Sequence, residues 1–121
     1  MKLLVHADDL GMSAAVDDAI VAALADRTVT STSVLATGPA FADAMARLPG
    51  DACLGVHLDL TGFPSITGAR PLAELAGIAT ARSDELPAAI DRILREHPTM
   101  ILGEWRAQVE RVRAAGRDVT H

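Results

Sequence analysis

Leu3-Leu4-Val5-His6-Ala7-Asp8-Asp9-Leu10-Gly11 is the stretch on which the reading of this chain turns. Three consecutive apolar residues form the short run expected of a buried strand. The run stops at His6, and the polar residues up to Gly11 read as a turn. Ser13 then stands as an N-cap, and Val16, Ile20, Ala23 and Leu24 recur on one face at helical spacing. Asp17 and Asp18 fall in the first turn of that helix, where carboxylates complement the positive end of the helix dipole.

Working outward, the same alternation repeats. Thr28 to Thr37 is rich in β-branched and hydroxyl residues around Val34-Leu35, and reads as a second strand. Thr30 to Ser33 are all hydroxyl residues, suited to satisfying backbone groups at a strand end. Pro39 opens a helix running to Leu48, which Pro49-Gly50-Asp51 ends. Cys53 to Leu58 is a third strand, followed by a polar break from Asp59 to Thr61. Gly62 to Arg82 reads as a long loop carrying Pro64, Gly68, Pro71 and Gly77, a length that suits a substrate-facing segment. Two helices follow, Ser83 to Glu96 and Met100 to Ala115, separated by Pro98 and closed by Gly116. Ile101, Trp105 and Val112 form a stripe assigned to the core. Asp118-Val119-Thr120-His121 reads as the opening of a fourth strand.

The order β-α-β-α-β-loop-α-α-β argues for a parallel sheet with right-handed crossovers. The expected fold is α/β, the N-terminal part of an incomplete (β/α) barrel. A whole barrel needs roughly 250 residues, so the 121 residues are expected to be one portion of a longer domain.

Composition narrows the function classes. Half of the residues are apolar and 22% are charged, enough to bury a core. Phe41, Phe63 and Trp105 are the only aromatic residues, so Ala, Val, Leu and Ile must do the packing. A net charge of −5 with a single lysine, Lys2, provides no basic stripe for nucleic acid. Cys53 is alone and reads as an inert buried thiol. The N-terminal apolar run is too short for a signal sequence, and no stretch is long enough for a membrane span. A cytoplasmic protein is the resulting expectation, and a homodimer is compatible with it.

Two ionisable clusters fall where parallel α/β folds collect ligands, at the carboxyl ends of strands. Asp8-Asp9 follows the first strand; His57 with Asp59 ends the third. Adjacent carboxylates repel unless a cation or proton lies between them, and a neutral imidazole completes a carboxylate/histidine cation site. Taken singly, each signal is ordinary: an Asp-Asp pair often caps a turn, and one histidine often sits hydrogen-bonded in a core. Their placement at the same end of two strands makes a joint site the stronger reading. His6 points away from its immediate neighbours on the strand and is assigned a structural or supporting role; Thr61 is assigned a turn cap or a support.

At these residues the chain resembles the YdjC-like carbohydrate deacetylases, the chito-oligosaccharide deacetylase type that includes hopanoid-biosynthesis members. Ala7-Asp8-Asp9-Leu10-Gly11-Met12-Ser13 is similar to the family pattern Ala-Asp-Asp-Phe-Gly-Leu-Ser. Val29-Thr30-Ser31-Thr32-Ser33 with Pro39, and Gly55-Val56-His57-Leu58-Asp59-Leu60-Thr61, follow in family order. Glu104 with Gln108, leading to Gly116 and Thr120-His121, is a weaker match. His6 stands where the family has Asn, and Leu10 where it has Phe.

The resemblance implies a NodB-like barrel and a metal-dependent hydrolase acting on N-acetylated sugars. Asp8 would be the general base, and Asp9 and His57 metal ligands. Magnesium is the favoured ion, with zinc admissible. The resemblance places a third ligand and a general acid beyond His121. The competing expectation is a response-regulator receiver domain, with Asp8 and Asp9 binding Mg²⁺ and Asp59 accepting phosphoryl. Such domains use a lysine late in the chain, which this sequence lacks; Arg106 and Arg111 both fall within an expected helix.

Overall fold

The strand expected from Thr28 to Thr37 narrows to four residues, Ser31–Val34 (β2), all of them buried. Its burial follows from position: β2 is the middle strand, hydrogen-bonded in parallel to His6–Leu10 (β1) on one side and Cys53–Val56 (β3) on the other. These elements come from a computed structural model that describes residues 3–81 and 84–121. The helices are Ala14–Ala25 (α1), Phe41–Arg47 (α2), Arg70–Thr80 (α3), Leu86–Glu96 (α4) and Pro98–Ala114 (α5).

β1 is displaced from its expected place. The apolar residues Leu3 and Leu4 are 75% and 70% exposed, while the polar stretch that read as a turn is the strand itself. A strand with one polar face does not need an apolar run; Ala7 and Leu10 face the core, brought to the same side by an irregularity between them. Val5 still pairs just before the strand, since its carbonyl accepts from the Thr30 and Ser31 amides. Thr30 Oγ and Thr32 Oγ donate to the Val5 and Ala7 carbonyls, the satisfying role expected of that hydroxyl run.

One face of the sheet is apolar. Leu10, Val34 and Leu54 pack there with Ile20 of α1, Phe41, Ala44 and Met45 of α2, and Val112 of α5. A second cluster joins Leu72 and Leu75 of α3, Ala89 and Ile93 of α4, and Ile101 of α5, with Trp105 partly buried against it. The Ile101–Trp105–Val112 stripe is thus core, but it serves two cores rather than one. α5 ties the two clusters together.

α3 replaces much of the loop expected over Gly62 to Arg82. Pro71 and Gly77 read as breakers, yet Pro71 lies at the start of the helix, where its missing N–H costs nothing and its fixed φ fits. Leu72 and Leu75, one turn apart, are 1% exposed and hold the helix down. The helix expected from Ser83 begins at Leu86; Arg82 and Ser83 lie outside the described residues. Pro98 ends one helix and opens the next.

The chain returns to the sheet at its end. The Thr120 amide donates to the Leu54 carbonyl, and the Val56 amide donates to the His121 carbonyl. These bonds lay residues 119–121 along the free edge of β3, where the fourth strand was expected to open. Gly55 makes the approach possible: a Cβ there would stand 2.6 Å from the His121 ring. Cys53 is half-buried rather than fully enclosed, with its sulfur 3.3 Å from Thr120 Oγ.

Candidate active site

Side chains on a regular strand alternate, so Asp8 and Asp9 should point to opposite faces of the sheet. They do not, because β1 is bulged. His6 pairs with Ser31 and Ala7 with Thr32, but the next pair is Leu10 with Val34. Three residues advance on β1 while two advance on β2, leaving Asp8 and Asp9 opposite the single residue Ser33. Asp9 absorbs the extra residue with φ of +71°, the left-handed region that Asp tolerates better than most residues. The bulge returns Leu10 to the core and leaves both carboxylates beside His57.

The resulting group is close-set. His57 Nδ1 lies 3.3 Å from Asp9 Oδ1 and 3.7 Å from Asp8 Oδ1. That nitrogen is buried and has no hydrogen-bond partner. Ser33 Oγ donates to Asp8 Oδ1 at 2.6 Å, and His6 Nε2 approaches the same oxygen at 3.3 Å. The Ser33 hydroxyl is the main reason the Asp8 carboxyl is held below its ordinary pKa; the His57 and His6 rings act in the same direction, and partial burial opposes them. Every described partner of this carboxylate sits on Oδ1.

Behind the bulge, Asp17 is fully buried and its Oδ1 accepts from the Gly11 amide at 2.6 Å. It therefore pins the turn that leaves β1, a more specific task than the dipole role read from sequence. Asp18 instead reaches outward to Arg47. Gly11, at φ +88°, and Gly38 allow a close backbone crossing beside this turn; a Cβ on Gly38 would stand 2.2 Å from the Gly11 carbonyl oxygen.

Asp59 has a different occupation. Its Oδ1 accepts from the Thr61 and Gly62 amides, and Oδ2 accepts from the Phe63 amide and the Thr37 hydroxyl. A carboxylate carrying four donors is folding a loop, not awaiting a phosphoryl group. The strand order β1-β2-β3 also differs from the 2-1-3 order of flavodoxin-like sheets, so the receiver reading finds no support. Thr61 takes part through its backbone N–H to Asp59 rather than by reaching Asp8, Asp9 or His57.

Glu104 and Gln108, one turn apart on α5, complete that loop. Both are fully buried. Glu104 accepts from the Ile66 and Thr67 amides, the Thr67 hydroxyl and Gln108 Nε2. Burial pushes the Glu104 carboxyl up, and the bonds from Gln108, Thr67 and Ile66 together outweigh it, so its pKa lies below the ordinary value. Gln108 clamps Asp59 by accepting from its amide and donating to its carbonyl. The signal was present in the sequence as a Glu and a Gln four apart on the inward face of an amphipathic helix. Ser31 and Ser33 were the residues that sequence reasoning missed at the site; period-two alternation places them on the face of His6 and Asp8.

Residues 2–121 match the family described as YdjC-like protein. The chain belongs to the YdjC-like family. Carbohydrate deacetylases from Vibrio cholerae and Brevibacillus brevis are 33% and 31% identical to it over its full length. This YdjC-like chain spans about half of those relatives, 47% of each. A crystal structure of a proposed cellobiose-phosphate cleavage protein from Enterococcus faecalis superposes with a TM-score of 0.71 at 28% identity, covering 98% of this chain and 46% of that one. The α/β architecture with its parallel sheet is thereby shared with a YdjC-type relative. Among the described residues no helix is long and apolar enough to cross a membrane.

The donor set can be tested against a cation. Asp9 and His57 offer one oxygen and one unpartnered nitrogen to a common point, the arrangement an absent positive charge would relieve. The residues fit two of the positions such an ion requires. Among the described residues no group of three or more His, Cys, Asp or Glu is arranged to hold a metal by itself.

Proposed function

We propose that this chain carries the base and two cation ligands of a carbohydrate N-deacetylase, and that it is the N-terminal part of a longer barrel domain. Asp9 and His57 would hold a divalent ion, magnesium by family preference and zinc as the second choice. Such an ion, when bound, polarises the acetyl carbonyl and acidifies the attacking water. The observation that carries the reading is the bare His57 Nδ1, buried between two carboxylates with no hydrogen bond of its own.

Asp8 is suited to the proton transfer. Like any carboxylate with no raised pKa it is ionised at neutral pH, Oδ1 is anchored, and among the described residues no partner occupies Oδ2, the oxygen that would accept the proton. The water oxygen bonds to the acetyl carbon, its proton passes to Asp8, and the carbon–nitrogen bond breaks to release acetate and the amine. The proton that the leaving amine requires would come from an acid that the family resemblance places beyond His121. The names of the relatives support a sugar as substrate.

Calorimetric titration with Mg²⁺ and with Zn²⁺, alongside acetate release from N-acetylated oligosaccharides, tests this. Stoichiometric binding that Asp9→Ala and His57→Ala each weaken at least about tenfold is the expected result. Binding untouched by both substitutions would overturn the assignment of ligands. Acetate release untouched by Asp8→Asn would overturn the assignment of the base.

A further inference from the structure

The polar face of the sheet holds a second histidine that this chemistry does not use. His6 precedes Asp8 by two residues, so its ring stands on the same face. His6 Nδ1 lies 2.6 Å from Ser31 Oγ and Nε2 lies 3.3 Å from Asp8 Oδ1. His121 backs the ring edge-on, with centroids 5.1 Å apart and planes at 69°. Ser31 is fully buried, and among the described residues its hydroxyl has His6 Nδ1 as its partner.

We propose that His6 is a positioning residue for Asp8, held as its Nε2–H tautomer by the Ser31 hydroxyl; the inference rests on the reading of Asp8 as base. A neutral imidazole has one donor and one acceptor nitrogen. If Nδ1 carried the proton, the Nε2 lone pair would face a carboxylate oxygen at 3.3 Å, and the two would repel. With the proton on Nε2, that nitrogen donates toward Asp8 while Nδ1 accepts from Ser31, and no group is left opposed. Ser33 and His6 then grip the same Asp8 oxygen from two sides. The carboxylate is fixed with Oδ2 turned free, the oxygen a base would use. His6 stands where relatives of the resembled pattern have Asn, whose amide can also donate toward Asp8.

Long-range proton–nitrogen NMR on the histidine-labelled chain at about pH 8 reads the tautomer directly. The expected spectrum shows His6 protonated at Nε2 and bare at Nδ1. Ser31→Ala should raise the Nδ1–H fraction about 2- to 10-fold, the worth of one hydrogen bond. His6→Phe should move the Asp8 carboxyl carbon resonance, and His6→Asn should restore it. Mg²⁺ affinity should stay within about twofold in His6→Phe while Asp9→Ala loses about tenfold or more.

A wild-type Nδ1–H tautomer, an unchanged ratio in Ser31→Ala, or an unmoved Asp8 resonance in His6→Phe overturns the proposal. So does loss of Mg²⁺ in His6→Phe as large as in Asp9→Ala, which would make His6 a ligand. The expected tautomer in a chain that binds no Mg²⁺ would instead sink the cation reading and leave the hold on Asp8 standing.

Discussion

Two groups of carboxylates occupy the same end of this small sheet, and they are built to opposite specifications. Asp59 and Glu104 are saturated: each accepts from four donors, Asp59 closing its own loop and Glu104, fully buried, tying Ile66 and Thr67 to α5. Asp8 and Asp9 are 62% and 48% exposed at their side chains, face an unpartnered imidazole nitrogen, and sit on a bulge with one residue in left-handed conformation. A carboxylate that folds a protein uses up its lone pairs inside it. One that serves a ligand keeps them unspent, and the fold carries the strain.

The sharpest way to break the contrast is at the saturated group. Glu104→Ala should destabilise the chain by about 3–5 kcal/mol, since it strands buried donors that a charged acceptor now satisfies. Urea unfolding of both chains measures it. A loss under about 1 kcal/mol would show that the loop does not depend on this carboxylate.

Glu104 also predicts a pH dependence with a definite sign. Its folded pKa lies below the ordinary value of 4.5, so its stabilisation is complete above that value. It is lost as acidification passes through the lower folded value. The stability gap between wild type and Glu104→Gln should therefore narrow on going below about pH 4.5. A gap that widened there would contradict the lowered pKa.

Asp59→Asn should cost about 1–3 kcal/mol, because an amide NH2 replaces one of the two oxygens and faces two of the four donors without accepting from them. Incubation of the wild type with acetyl phosphate should leave its intact mass unchanged, as expected of a carboxylate already committed to the loop.

At the open group the effects on stability should be small or reversed. Asp9→Gly should stabilise the chain by up to about 1 kcal/mol, because glycine adopts the positive φ without cost, whereas Asp9→Ala should not. His57→Ala and Asp8→Asn should each change stability by about 0.5 kcal/mol or less while altering cation binding or turnover. Denaturation midpoints for these variants sharpen the comparison. An Asp9→Gly chain less stable than Asp9→Ala would mean that the bulge is not strained.

Much of the architecture was legible because burial leaves a periodic trace. Val16, Ile20 and Leu24 mark α1, Pro98 divides α4 from α5, and Ser13 caps α1 by accepting from the Val16 amide. Three features were not legible for specific reasons. β1 hides in a polar segment because only Ala7 and Leu10 face the core, and a bulge between them breaks the alternation that would mark a strand. α3 hides among glycines and prolines because Pro71 marks the beginning of a helix as readily as its end. Glu104 and Gln108 show in the sequence as an inward-facing pair four apart, but their task does not, because nothing local announces that a distant loop will supply their partners.

The sequence alone determined the β-α alternation, the apolar stock of the core, and the presence of His57 just past a strand end. These are properties of spacing, and spacing is local. Spacing set Asp8 and Asp9 after the first strand, and the structure sets them inside it. Only the tertiary structure decided that Asp8 and Asp9 share a face, that His57 comes to them bare, and that Asp59 does not join them. A bulge depends on the register against a neighbouring strand, and hydrogen-bond saturation depends on partners from distant segments; neither is written in the order of residues around the site.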